Sequence, residues 1–160
     1  MTVPLDIDYR LTGQGWAACT VRFGDEQCEI RASYLSDALG KLVLGAAAVA
    51  SGLHSVSIGF DEEPGEYRWV VTDVAGAEVR VSVLAFDGLW SHLPDSAGRM
   101  LLGFTCDPFD FAEAVWVAAS RVREAWPGEA YRDKWGEHEF PTQALALLEA
   151  RLGNPAAAPG

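Results

Sequence analysis

DPFDFAEAVWVAASRVREAWPG, residues 107–128, carries the strongest helix signal of the chain. Asp107 has a side chain that accepts hydrogen bonds from free backbone N–H groups. Pro108 suits the first helical position, where its missing N–H would have no partner. Phe111, Val115, Ala119, Val122 and Trp126 recur at spacings of four, four, three and four. That period places them on one face of a helix. Asp110, Glu113, Arg121, Arg123 and Glu124 lie off the stripe. Pro127-Gly128 ends the segment, because proline cannot continue the hydrogen-bond ladder. Burying side chains such as Phe111 and Val115 is worth about 1.5–3 kcal/mol each, so this helix is expected to close a core.

The segments before it read mainly as strands. Leu5 to Leu11 alternates apolar and polar residues, as a half-buried strand does. Gly13-Gln14-Gly15 is a turn; it lacks the third glycine and following helix of a dinucleotide fingerprint. Trp16 to Phe23 and Glu26 to Ala32 form a hairpin about Gly24-Asp25, where glycine at the first central position suits a type II′ turn. In that register Cys19 and Cys28 share the buried face but sit diagonally, so they are expected as core thiols rather than a disulfide. Ser36 to Ser51 reads as a helix capped by Ser36, with Leu39, Leu42, Val43, Ala46, Val49 and Ala50 as its stripe. Gly45 and its alanine neighbours permit close approach to a sheet or a second helix.

His54 to Phe60 is a strand, and Asp61 to Gly65 a turn holding three adjacent acids. Glu66 to Asp73 and Glu78 to Phe86 form a second hairpin, in which Trp69 pairs with Val83 if the register places Tyr67, Trp69, Val71, Val81 and Val83 on one face. Asp87 to Ala97 is a polar loop, and Arg99 to Cys106 the last strand. After Pro127 come a short helical turn from Glu129 to Trp135, a connector to Pro141, and a final helix through Leu152. The order is βββαββββ followed by helices. Strands joined by short turns imply an antiparallel sheet, so the expectation is an α+β fold with one sheet of six to seven strands and helices on one face. Residues 1–152 are expected to form a single domain, with a Pro/Ala/Gly-rich tail over 153–160.

Composition bounds function. The chain has 160 residues, is 49% hydrophobic, and carries 12 basic against 23 acidic residues, a formal charge of −11. Nucleic-acid backbones and anionic membranes both select basic surfaces, so neither is the expected partner. The N terminus has no basic region followed by a long apolar run, and the apolar run Leu42 to Ala50 is about half a membrane span. Three cysteines are too few for a disulfide framework. A cytoplasmic setting with reduced thiols is expected.

No residue pattern assembles a catalytic set. His54, His92 and His138 show no helical i, i+4 spacing and no accompanying Cys–x2–Cys, so no metal site is expected, and no cofactor motif is present. Cys106 directly precedes the Asp107 helix start, where unpaired N–H groups stabilise a thiolate and the Asp107 carboxylate opposes it. Cys106 is therefore the candidate reactive thiol, weighed against a buried strand-end cysteine. Arg68, Arg80, Trp90 and His92 are the candidate lining of a small-molecule pocket on the less apolar sheet face. The connector from Tyr131 to Pro141 mixes aromatic residues with both charge signs. Tyr131, Arg132, Trp135 and His138 are candidate interface residues, against the alternative that the aromatics only pin the connector to the fold. Asp61, Glu62 and Glu63 are candidates for an exposed acidic patch.

The pairing of Glu63-Pro64-Gly65-Glu66-Tyr67-Arg68-Trp69 with Tyr131 to Pro141 resembles that of a family of small acidic bacterial α+β proteins to which no activity is assigned. The resemblance implies a stand-alone intracellular bacterial domain and transfers no site residue. From the residues themselves, the leading expectation is a non-enzymatic, acidic protein-interaction domain of inhibitor or immunity type, covering a basic surface on another protein. A small-molecule binding domain or enzyme is the alternative, and a homodimer through a sheet face or edge is a third.

Overall fold

A computed structural model describes residues 3–53, 55–74, 76–90 and 92–153. The strands are β1 (Leu5–Leu11), β2 (Trp16–Phe23), β3 (Glu26–Ser33), β4 (Ser55–Asp61), β5 (Glu66–Val74), β6 (Glu78–Phe86) and β7 (Arg99–Cys106). The α-helices are α1 (Ala38–Ala50), α2 (Pro108–Ala125), α3 (Ala130–Trp135) and α4 (Thr142–Gly153). His54 and residues 154–160 of the expected tail lie outside the described residues.

The fold is α+β with antiparallel pairing, but the strands form two sheets rather than one. The first has the order β1-β2-β3 and the second β4-β5-β6-β7. The division falls at α1, where β3 does not join the edge of β4. Instead β3 touches β4, β5 and β7. A strand in a ladder neighbours at most two others, so β3 crosses the second sheet and its edge groups cannot pair with β4. Among the described residues, side chains rather than backbone bonds join the sheets. Phe23 stacks on Phe104 at 4.6 Å between ring centres, and Tyr9 meets Phe60 edge-on at 6.2 Å.

Both hairpin registers follow the alternation of the sequence. Phe23 pairs with Glu26 around Gly24, whose φ is 60°, and Val21 rather than Cys19 opposes Cys28. All three cysteines are free. Trp69 pairs with Val83, which puts Val71 and Val81 on the same buried face.

In α2, Asp107 accepts from Phe109 N–H at 2.8 Å, and Pro108 is the first helical residue. Phe111, Val115, Ala119 and Val122 are buried, and Trp126 stands at the C-terminal end. The cap of α1 differs from expectation: Asp37, not Ser36, accepts from Gly40 N–H at 3.1 Å. Asp37 directly precedes the first helical residue, so its carboxylate reaches the free N–H groups. Ser36 lies one residue too early, and its hydroxyl is buried without a hydrogen-bond partner among the described residues. Gly45 brings α1 down onto Ile58 and Val56 of β4. Helix α2 lies along β1 and packs Phe111 against Trp69 of β5, with ring centres 6.1 Å apart. Helix α4 covers α1 and α2. One continuous cluster of buried apolar side chains draws on both sheets and all four helices.

Candidate interaction surface

The acidic turn after β4 is the first region singled out by sequence, and its exposure is corrected by the structure. Asp61 and Glu62 are each only 9% exposed, while Glu63 is exposed. The cause is the crossing of β3. Glu62 receives Arg31 of β3 at 2.9 Å, and the Ser33 hydroxyl donates to the Asp61 carbonyl at 3.1 Å. The Asp61 carboxylate accepts from the Trp90 indole at 3.3 Å. Two of the three acids therefore fasten the sheets and the 87–98 loop together, which leaves Glu63 to solvent.

The four residues proposed to line a pocket are only partly brought together. Arg68 is almost covered, and its guanidinium is fully engaged. It donates to the Leu93 carbonyl at 2.8 Å, meets Asp95 at 2.9 Å and Glu66 at 3.4 Å, and lies 4.0 Å above the Phe86 ring. A cation held by two carboxylates, a carbonyl and an aromatic face clamps the loop onto β5 and β6 rather than offering itself to a ligand. Arg80 lies farther along the sheet, beside Met100 and Gly103. Trp90 is 59% exposed and His92 is exposed, both with positive φ, 54° and 56°.

The connector after α2 separates into inward and outward residues. Tyr131 and Trp135 are fully buried, so the structure removes them from the candidate surface and gives them the anchoring role. The signal was present in the spacing: residues four apart on a helix share a face. Their anchorage is the Gly13-Gln14-Gly15 turn. Gly15 N–H donates to the Lys134 carbonyl at 2.8 Å, and Gln14 donates to the Asp133 carbonyl at 2.5 Å. Gly15 has φ 75°, and a side chain there would press on Tyr34 and the Trp135 carbonyl. Arg132 remains outside, 3.6 Å from Glu139. His138 is half-buried, its Nδ1 without a hydrogen-bond partner among the described residues.

Two phenols are buried in the core. Tyr9 and Tyr131 are both buried, and neither hydroxyl has a hydrogen-bond partner among the described residues. Burial pushes both phenols well above the ordinary tyrosine range; for Tyr9, neighbouring Tyr131, Cys19 and Asp37 add to the effect.

Cys106 is not activated. It is buried, and desolvation pushes its thiol up to about 12, helped by the carboxylates of Asp110, Asp107 and Glu78. The nearby Phe111 N–H, which donates to the Asp107 carbonyl at 3.2 Å, opposes this without reversing it. The helix start thus supplies one N–H but also two acids, and the acids with burial prevail.

Two clefts flank α2. One, of about 380 Å³, lies between the start of β1 and the outer side of α2, and Cys106 reaches its floor. The second, of about 370 Å³, separates α2 from the end of α4, where the Trp116 indole donates to Glu149 at 3.1 Å. Asp6, Asp110 and Glu113 line the first cleft. Asp110 and Glu113 were legible only as residues off the α2 stripe, since their proximity to β1 spans the whole chain.

Among the described residues no three His, Cys, Asp or Glu side chains gather as a metal site, and no helix is long and apolar enough to cross a membrane. Comparison of the chain with protein-family descriptions, with curated proteins and with solved structures finds no match.

Proposed function

We propose that this chain is an acidic intracellular protein-interaction domain that covers a basic surface on a partner protein, in the manner of an inhibitor or immunity protein. The observation that supports it is the division of its charges. The arginines are largely neutralised within the fold: Arg10 by Asp8 and Glu29, Arg22 by Asp6, Arg31 by Glu62, Arg68 by Glu66 and Asp95. Exposed acids such as Asp25, Glu26, Glu63, Asp110, Glu113 and Glu137 have no such counter-charge among the described residues. The formal charge of −11 is therefore carried outward by carboxylates free to meet a basic partner. Such complementarity raises association rate more than it deepens affinity, and salt screens it.

The test is isolation of the partner at low ionic strength, followed by binding measurements with both purified proteins. Association is expected to slow by roughly tenfold or more as salt rises from low to several hundred millimolar. A partner of acidic surface, or an on-rate indifferent to salt, overturns the reading.

A further inference from the structure

We infer that Trp90, Leu93 and Met100 form the contact strip for the basic partner, which lays a lysine or arginine on the Trp90 ring and apolar side chains on the other two. This rests on the proposed function and gives it a location. The pairing register sets the strip. Gly59, Arg68, Leu84 and Met100 are direct neighbours across β4, β5, β6 and β7, one row over all four strands. The 87–98 loop is tied along this row: the Trp90 indole bonds to Asp61 of β4, and the Leu93 carbonyl to Arg68 of β5. Trp90 is left 59% exposed, Leu93 44% and Met100 54%. Strands lie about 4.8 Å apart, so the three side chains extend over roughly 15 Å. Beneath them Leu84 and Phe86 are already buried, with Gly98 of the loop pressed against both. Covering the sheet therefore does not call for large apolar residues on the outside of the loop. Trp90 and His92 also hold φ at 54° and 56°, where bulky side chains cost backbone energy. Trp90 thus combines strain with a solvent-exposed ring, and the fold bonds only the edge of its indole. Exposed tryptophan and methionine grouped in this way are the residue types that anchor protein interfaces.

The surrounding charge sets the chemistry of the occupant. Glu63, two residues beyond Asp61, is exposed with no ion pair among the described residues. The Asp87 side chain is fully exposed, with Arg99 only as near as 3.9 Å. The other cations at this end are spent: Arg31 on Glu62, and Arg68 on Glu66 and Asp95. The bond from the indole to the Asp61 carboxylate fixes the ring and makes its face more negative. An ammonium or guanidinium is drawn to such a face, and the apolar stem behind it suits Leu93 and Met100. A ring already held in place loses little freedom on binding. A second copy of the chain fits less well, because it would bring the same carboxylates to a site that already has them.

The probe is the full chain carrying photoreactive benzoylphenylalanine at position 90, 93 or 100, with the exposed positions of Leu44 and Leu53 as controls. Irradiated at low salt in an extract of its native cells, the first three positions should each join the same basic protein, and the controls should not. A product of twice the chain's mass overturns the assignment in favour of self-association. An acidic protein, no product, or equal products from the controls overturn it outright. With the joined protein purified, Trp90→Gly should raise its off-rate by about tenfold or more. Glycine suits φ 54°, so the thermal midpoint of this variant should hold. Leu93→Ala/Met100→Ala breaks none of the loop's hydrogen bonds and should raise the off-rate by about fivefold or more. The two rates separate this inference from the function it rests on. If the on-rate falls with salt but neither variant changes the off-rate, the strip is wrong and the acidic interaction reading stands. If salt has no effect on parent and variants alike, the acidic reading fails and takes the cation on Trp90 with it.

Discussion

Two buried polar atoms show how a single group is decided by its surroundings. Cys106 stands at a helix start, a position associated with reactive thiols, yet desolvation and the acids at 107 and 110 hold its thiol at about 12. Alkylation by iodoacetamide at neutral pH should be far slower than that of a free cysteine peptide and should accelerate only at strongly alkaline pH; a rate equal to the free thiol would overturn the assignment. The Tyr131 hydroxyl is buried with no partner among the described residues. Removing such a hydroxyl relieves a desolvation penalty without breaking a bond, so Tyr131→Phe should leave urea stability unchanged or raise it by up to about 1 kcal/mol. A loss of more than about 1 kcal/mol would show that the hydroxyl is satisfied.

At the scale of elements, one contact often fixes a whole segment. The 87–98 loop is held by Arg68 through a carbonyl, two carboxylates and the Phe86 ring. Lysine keeps the charge but not the planar fork, so Arg68→Lys should destabilise the fold by about 1–3 kcal/mol and speed hydrogen exchange across residues 92–98. Unchanged exchange there would dissociate the loop from Arg68. Helix α1 is seated by a missing side chain. An added methyl at Gly45 would strike Ile58, which is only 2% exposed. Helix propensity favours alanine by about 1 kcal/mol, and overpacking costs about 1–3 kcal/mol. Gly45→Ala should therefore be mildly destabilising and Gly45→Val clearly so, by thermal denaturation. If Gly45→Val matches the parent, the close approach of α1 to β4 is wrong.

Over the whole molecule, burial makes stability sensitive to alkali. The folded chain holds Cys28 at about 11 and Cys106 at about 12, against an ordinary thiol value of 9.0. Cys19, Tyr9 and Tyr131 are raised in the same direction. A raised folded-state value means that the unfolded chain loses its proton first. The stabilisation is complete below pH 9 and is lost as pH rises through about 11 and then about 12. Urea midpoints should fall steadily from pH 9 upward, and Cys28→Ala/Cys106→Ala should flatten that fall relative to its own midpoint at pH 8. An alkaline profile of unchanged slope in the double variant would assign the loss to other groups.

Local chemistry was legible in the chain itself. The Asp107-Pro108 start, the apolar stripe of α2, the Gly24 turn and the Trp69–Val83 register depend on neighbours within a few residues or on one alternating face, and periodicity records both. The close approach at Gly45 was legible too, because only a residue without a side chain permits it. What the tertiary structure alone decided is where distant segments meet. It divided the strands into two sheets by sending β3 across β4, β5 and β7. That crossing buried Asp61 and Glu62, and the docking of α3 on the Gly13–Gly15 turn buried Tyr131 and Trp135. It also set Asp110 and Glu113 beside the start of β1, about a hundred residues away in the chain. A residue's type and spacing fix which face of its element it occupies. Whether that face meets solvent depends on what else packs there, and the packing partner is chosen by the summed burial of the whole core.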